Sequence, residues 1–597
     1  MVYFSLPITI LLVVGLSVAL VVGAPQGPTP TTSSSTSSAS QIPTLLVLPG
    51  YANVTRATPS PVQCQGSSSS SSSSISSSSS SGSSTSSVSS VPGEPIVSSS
   101  TWTTQTLTLT ATIPVTTPAA SLFKRQSVST STTTSSSTTS TSITSSTPST
   151  TTSSTTTATA TDVMVAIAQA FAFTPLPPGD PAASDPYAAP FGLFRVANLN
   201  PDQEAILTNR SWYFKGTPAG SQNIQVALSA NQSDPARNLT SPVTPVPYPV
   251  PTYPPLAWQS PDQPPASRAN VTAESNGFVQ FNQSFVGLPV PGQGPDLPGF
   301  VPTKPLVNNA VFMPYQLSPI ADDAPLQQGP LPGSAVGYMV VADDSNVPSP
   351  TNPGAGSGGG GVSKHVMIIS DIDDVLKVTN VSSPSQGLLN TFTSVYMPVL
   401  GMPNLFQAIA QWLTPACVAT TYHYISGTPI PLFVGLQQFL LSYYPAGSLT
   451  MRSTTGFDPT SFADLIRGAV RDRFRTNALA DVFRTYPNGT GIIFADNTRN
   501  NYAAYMDVVA QFPQQVGCLY LRNLTVTESS AGTIDFVKYS DAVQQLSKSL
   551  QGSAADPQAR AQQILVPFTD PSALLGLNYS QTPVRCIRPF QSRYSFV

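Results

Sequence analysis

A doubly wound α/β domain is the expectation for residues 363–597, and three observations set it up. Val366 to Ile369 (VMII) is a short, wholly apolar run, the pattern of a strand buried on both faces of a parallel sheet. Behind it, helical patterns and similar runs alternate at Asn404–Leu413, Val418–Ile425, Pro431–Tyr444, Ser461–Tyr486, Gly491–Ala495, Asn501–Phe512 and Val516–Leu521. Ahead of it, residues 345–362 form a Gly/Pro linker whose centre, Ser349 to Gly361, reads SPTNPGAGSGGGG. The segment from about Ile534 reads as helical and closes the domain. In such a sheet the site belongs at the carboxyl ends of the strands.

The rest of the chain has a different texture. Residues 1–24 hold an apolar run from Leu6 to Gly23 that ends in small residues, the form of a secretory signal peptide. No Lys or Arg precedes the run, and its length approaches a membrane span, so an uncleaved anchor is the alternative. Residues 25–161 are mostly Ser, Thr and small side chains. They bury too little apolar area to offset chain entropy, so a disordered, O-glycosylated stalk is expected. Within it, Lys124-Arg125 reads as a processing site. Sequons at Asn53, Asn209, Asn231, Asn238, Asn270, Asn282, Asn380, Asn488, Asn523 and Asn578 fit a secreted or cell-surface glycoprotein.

Residues 162–344 are rich in Pro, Asn and Gln, with apolar stretches at Ile224–Leu228, Phe278–Phe285 and Val336–Val341. Frequent turn residues and alternation predict an irregular β-sandwich. Charged residues are only 9% of the chain and the net charge is -3, so no basic surface argues for nucleic acid or for recruitment to anionic lipid. The two histidines, His365 and His423, exclude a histidine-cluster mechanism. The four cysteines include no C-x-x-C pair, which removes the case for zinc or thiol redox chemistry.

The chemistry concentrates after the first strand of the C-terminal domain. Ser370-Asp371-Ile372-Asp373-Asp374 crowds three carboxylates into four residues, a repulsion that a cation or a catalytic role must offset. The next strand ends Tyr422-His423-Tyr424-Ile425-Ser426-Gly427-Thr428-Pro429, where a hydroxyl and a helix start capped by Thr428 offer donors to an anion. A third strand, Gly491 to Ala495, runs into Asp496. Asp371, Asp373 and Asp496 with Ser426 would make a magnesium and phosphate site: hard oxygen ligands, a nucleophile and a phosphate contact.

These residues resemble the haloacid dehalogenase pattern, and more narrowly the catalytic domain of the fungal actin-patch-type, Mg²⁺-dependent phosphatidate phosphatases. The likeness rests on Ile369–Asp374 with Lys377-Val378-Thr379, Gly401-Met402-Pro403, His423–Pro429 with Leu432, Tyr444–Leu449, and Leu519-Tyr520-Leu521-Arg522. It implies a haloacid dehalogenase-like sheet. Asp371 would be the nucleophile that forms an aspartyl-phosphate, and Asp373 the acid that protonates the leaving oxygen and then activates water. Asp371, Asp496 and the Asp373 carbonyl would hold Mg²⁺, and Ser426, with Gly427 and Thr428, would bind the phosphoryl oxygens. Counting back from Tyr486-Pro487 places the family's phosphate-neutralising cation at Arg475.

The family's Gly-Asp-Ser-Gly-Glu-x-Asp becomes Ala495-Asp496-Asn497-Thr498-Arg499-Asn500-Asn501, which replaces its later acids. Asn501 or Asn497 then supplies an amide oxygen or holds a metal-bound water, and Arg499 offers charge to phosphate. The resulting expectation is a Mg²⁺-dependent phosphomonoester hydrolase, with phosphatidate as the substrate the resemblance implies. Its membrane-surface contact would be made by Ile430 and Phe433. The alternative is a catalytically impaired domain displayed on a cell-wall-type glycoprotein.

Overall fold

The computed structural model describes residues 43–55, 109–111, 163–176, 180, 181, 185, 194–196, 198–228, 268–286, 311–320, 335–343, 364–381, 383–413, 418–453, 468–524, 536–575 and 577. The chain start, the Lys124-Arg125 pair, the tether at 349–361, three of the cysteines (Cys64, Cys417, Cys586) and the last twenty residues lie outside them.

The first half supplies strands β1 (Thr44–Val47), β2 (Gly50–Thr55), β3 (Leu109–Ala111), β4 (Val163–Thr174) and β5 (Phe194–Val196), then helix α1 (Pro201–Lys215). Strands β6 (Thr217–Pro218), β7 (Asn223–Leu228), β8 (Arg268–Thr272), β9 (Phe278–Val286), β10 (Val311–Pro319) and β11 (Ala335–Asp343) follow. Nine of them make one mixed sheet in the order β1-β4-β2-β11-β10-β7-β8, with β9 and β6 also on β4, while β3 and β5 form a separate ladder. The nine strands are thus joined edge to edge by hydrogen bonds, a difference in connectivity from two separate sheets, and Ala166, Ile224, Phe281, Tyr315 and Met339 from five of them share one core.

A second difference concerns the expected stalk. Leu45-Leu46-Val47-Leu48 is an apolar island inside it, and all four side chains are buried. Strands β1 and β2 lie end to end along one edge of β4. Val47 sits opposite Ala170 and Tyr51 opposite Ile167, four steps against three, so a bulge falls at Pro49-Gly50. Proline cannot donate to a ladder and tolerates such a break. Gly50 is demanded by close approach: a Cβ there would lie 2.5 Å from that of Ala168. The sheet thus takes a central strand from within 25–161, and residue 162 does not mark its beginning.

Helix α1 starts at a reciprocal cap, with Asn200 Oδ1 accepting from the Gln203 N–H and Gln203 Oε1 from the Asn200 N–H. It packs Leu207 and Phe214 against Leu389, Phe392 and Leu432 of the second half.

The second half runs β12 (Lys364–Asp371), α2 (Pro384–Phe392), α3 (Met402–Leu413), β13 (Val418–Pro429), α4 (Phe433–Tyr443), β14 (Ser448–Arg452), α5 (Gly468–Thr485) and β15 (Thr490–Asp496). It continues with α6 (Arg499–Gln511), β16 (Val516–Arg522), α7 (Tyr539–Ser549), α8 (Pro557–Ile564) and β17 (Leu565–Phe568). Its six strands are all parallel, in the order β14-β13-β12-β15-β16-β17. Side chains alternate between two cores: Val366, Ile368, Ile492 and Phe494 face α3 and α4, whereas Met367, Ile369, Ile493 and Ala495 face α5, α6 and α7. Burial on both faces explains why these strands read as unbroken apolar runs. The closing segment, expected to be helical, contains β17 as well; LVPF is too short to carry a period.

The two halves are one packed body. Edge strand β14 would expose its N–H groups, but Leu449 N donates to Pro49 O at 2.9 Å and Met451 N to Gln169 Oε1 at 2.8 Å. Tyr486 Oη reaches Ala52 O at 3.1 Å, and Tyr51 and Ile167 join the core around Phe483. Cys518, buried in β16, is disulfide-bonded.

Candidate active site

Strand order reverses at β12, where the chain builds outward first to β13 and later to β15, and a crevice opens at the carboxyl ends of such a sheet. Asp371 ends β12 and Asp496 ends β15, its direct neighbour; both are fully buried. Asn501, in the first turn of α6, bridges them, its Nδ2 donating to Asp371 Oδ2 at 3.1 Å and to Asp496 Oδ2. The Thr498 N–H and hydroxyl close on Asp496 Oδ1 at 2.7 and 2.5 Å.

Arg475 approaches from α5, with Nη2 3.1 Å from Asp371 Oδ2. It is 1% exposed, yet its Nε and Nη1 have no hydrogen-bond partner among the described residues. A buried guanidinium is always charged, and leaving two of its donors empty is costly unless a ligand fills them. Burial raises the Asp371 carboxyl above its ordinary range; Arg475 pulls it back, while Asp496 and Asp373 add to the rise. Burial likewise raises Asp496, against the opposing bonds from Thr498.

Asp373 occupies a different environment. Its Oδ1 meets Lys377 Nζ at 3.0 Å and the Thr379 hydroxyl at 2.9 Å, and its Oδ2 accepts from Ser426 Oγ at 3.0 Å and Thr428 Oγ1 at 3.2 Å. Burial opposes its ionisation, but Lys377 and Thr379 outweigh that and hold the carboxyl well below the usual carboxylate range. Asp374, the third acid of the cluster, is a loop clamp. Its two oxygens accept from the N–H groups of Thr379, Asn380 and Val381 at 2.7, 2.7 and 2.6 Å.

The expected residues therefore meet, with changed partners. Ser426 and Thr428 turn to Asp373 rather than standing free for a phosphoryl group, and Thr428 caps no helix. Strand β13 runs on through Gly427 to Pro429 and is followed by a 3₁₀ turn at Ile430–Leu432. The Asp373 side chain is engaged by four donors, whereas the expected metal contact is its backbone carbonyl. Of the two asparagines, Asn501 faces the carboxylates, whereas Asn497 ties Asn523 and Leu524. Arg499 is exposed. Ile430 and Phe433, expected at a membrane, are buried in the core. Sequence reasoning assigned no role to Lys377, Thr379, Thr498 or Tyr505. Tyr505 lies one turn after Asn501 on the same face of α6. It is fully buried, its hydroxyl has no partner among the described residues, and it feels Asp371, Arg475 and Asp496 electrostatically.

The site fits a divalent cation in one respect. Asn501 Oδ1 is a buried oxygen without a partner among the described residues, beside two buried carboxylates, and oxygen donors of this kind suit Mg²⁺. Among the described residues, no group of three His, Cys, Asp or Glu side chains is placed to hold a metal ion.

Residues 366–523 match the family described as phosphatidate phosphatase APP1, catalytic domain. This segment is similar to an APP1-type phosphatase catalytic domain. The phosphatidate phosphatase APP1 of Saccharomyces cerevisiae is 24% identical over 163 residues, which is 26% of this chain and 26% of the yeast protein. The chain thus spans about a quarter of the length of that relative. No solved structure matches the chain. The matched segment runs from β12 to the end of β16 and contains every side chain of the site; the nine-stranded sheet and β17 lie outside it.

Proposed function

We propose that the domain is a Mg²⁺-dependent phosphomonoester hydrolase of haloacid dehalogenase-like fold that converts phosphatidate to diacylglycerol through an aspartyl-phosphate. The observation that carries this reading is Arg475, buried against Asp371 with two N–H groups empty. A phosphate dianion supplies oxygens to both and is the natural complement of a guanidinium fork.

Asp371, Asp496 and Asn501 Oδ1 would hold the cation. When bound, it neutralises phosphoryl charge and keeps Asp371 ionised. Asp371 Oδ attacks phosphorus in line; the Oδ–P bond forms as the bond to the leaving oxygen breaks. Arg475 stabilises the non-bridging oxygens. Asp373, anionic in the free site, takes a proton from solvent as the dianion arrives beside it, because a like charge raises a carboxyl pKa. That proton goes to the leaving alkoxide. Asp373 then accepts a proton from water as the water oxygen bonds phosphorus, releasing inorganic phosphate and free Asp371. Lys377, Thr379, Ser426 and Thr428 orient Asp373 for both transfers.

A test compares Mg²⁺-dependent phosphate release from phosphatidate and from a soluble phosphomonoester. The wild-type chain is expected to turn over both, Asp371→Asn neither, and chelation is expected to silence the wild type. Equal background release from wild type and variant would refute an enzyme. The absence of a three-ligand acidic group among the described residues favours a second reading, a phosphatase-like domain without turnover on a glycosylated surface protein. The disulfide at Cys518 supports a secreted or lumenal location for either, since disulfides persist in oxidising compartments.

A further inference from the structure

Between Lys377 and Arg452 the chain contains no Asp, Glu, Lys or Arg. All six large apolar side chains exposed among the described residues fall within that stretch: Val378, Val395, Met397, Leu400, Trp412 and Tyr443. Trp412 lies near the far end of α3, about 15 Å along the axis from its start. Tyr443 is the last residue of α4, and the remaining four share one loop system at the carboxyl edge of the sheet. Val378 N donates to Met397 O at 2.9 Å, and Val399 N to Leu376 O at 2.8 Å, so the segment 394–400 is pinned along the loop that carries Lys377.

The pinned segment alternates. Tyr396 and Val399 are buried, whereas Val395, Met397 and Leu400 are 67%, 50% and 92% exposed. Tyr396 is fixed by its hydroxyl to Thr391 O at 3.0 Å and lies between the Arg210 guanidinium and Lys377 Nζ. The outward display is therefore built by backbone pairing and an anchored neighbour. Water gives no return for holding Val, Met and Leu outward, and a contiguous apolar display of this kind marks a contact surface.

Resting on the phosphatidate reading above, we propose that Val378, Val395, Met397 and Leu400 form a docking edge that inserts into a lipid bilayer surface beside the active site. A bilayer suits the edge because no charge accompanies these residues below the headgroups, and apolar insertion needs no basic patch, which the chain lacks. Docking would hold the mouth of the site at headgroup level, since Lys377, which contacts Asp373, adjoins Val378 in the chain. Asn380 must then be unglycosylated despite its sequon.

Val395→Ser/Met397→Ser/Leu400→Ser removes the edge without touching the site or the core. Flotation of the full chain with phosphatidylcholine vesicles containing about 10 mol% phosphatidate is expected to show wild-type binding weakened about a hundredfold in the triple variant. Hydrolysis of vesicle phosphatidate should fall by at least about tenfold while a soluble phosphomonoester is turned over equally. Wild type that fails to float, a variant that floats equally, or a glycan on Asn380 would each overturn the proposal. A dimer in the wild type that the variant converts to monomer would overturn it in favour of a second copy as occupant. If neither chain hydrolyses any ester, the catalytic reading fails alone, and flotation still decides the edge.

Discussion

Tyr505 is the residue where stability and function part most clearly. A buried hydroxyl without a partner costs about 1–3 kcal/mol relative to a satisfied one, so its retention beside Arg475 and Asp371 calls for an occupant of the site. Tyr505→Phe is expected to leave the melting temperature unchanged or higher while lowering kcat/KM at least about tenfold, a loss of roughly 1.4 kcal/mol in the transition state. Tyr502, three residues away, is the control: its hydroxyl donates to Ala542 O, so Tyr502→Phe should lower the melting temperature and spare activity. Calorimetry and initial rates on the two variants check both. At this scale the sequence revealed the acids and, by counting, Arg475. It concealed who holds Asp373, because Ser426 is 53 positions away and only the pairing of β12 with β13 brings it there.

At the scale of elements, the parallel strands β12, β13, β15 and β16 were legible as apolar runs, while β1, β2, β14 and β17 were not. The first two are surrounded by Ser and Thr, and neither helical nor alternating pattern distinguishes LLVLPGY. Their contribution is nonetheless large. Burying Leu45, Leu46, Val47 and Leu48 is worth about 1.5–3 kcal/mol each, together comparable with the ~5–15 kcal/mol that a domain has in hand. A chain beginning at residue 162 is therefore expected to lose cooperative unfolding and to aggregate, whereas one beginning at residue 40 should melt as the full chain does. Circular dichroism melts of the two separate these outcomes.

Across the whole molecule, the only two histidines are buried together. His365 Nε2 and His423 Nε2 both meet Thr421 Oγ1, at 3.0 and 2.8 Å, and His423 Nδ1 meets Ser448 Oγ at 2.8 Å. Burial, helped by His365, holds the His423 pKa well below its ordinary value. An unfolded His takes its proton near pH 6.5, about the model-peptide value, and the folded one does not, so its contribution to stability is lost as pH falls below that point. The raised Asp371 carboxyl acts in the opposite sense, since the folded state binds its proton first. Comparing wild type with His423→Gln cancels Asp371: the variant should lose less melting temperature than the wild type between pH 7 and pH 5. Equal losses would place the acid sensitivity elsewhere.

The seam where Pro49 and Gln169 satisfy the backbone of β14 has a topological consequence. The peptide that carries β1 and β2 is stitched to both halves by ladder bonds and core contacts, independently of the covalent path from Thr55 to Val163. Scission anywhere along that path would leave a nicked heterodimer, inseparable until denatured, in which the front fragment serves as a keystone for the remainder.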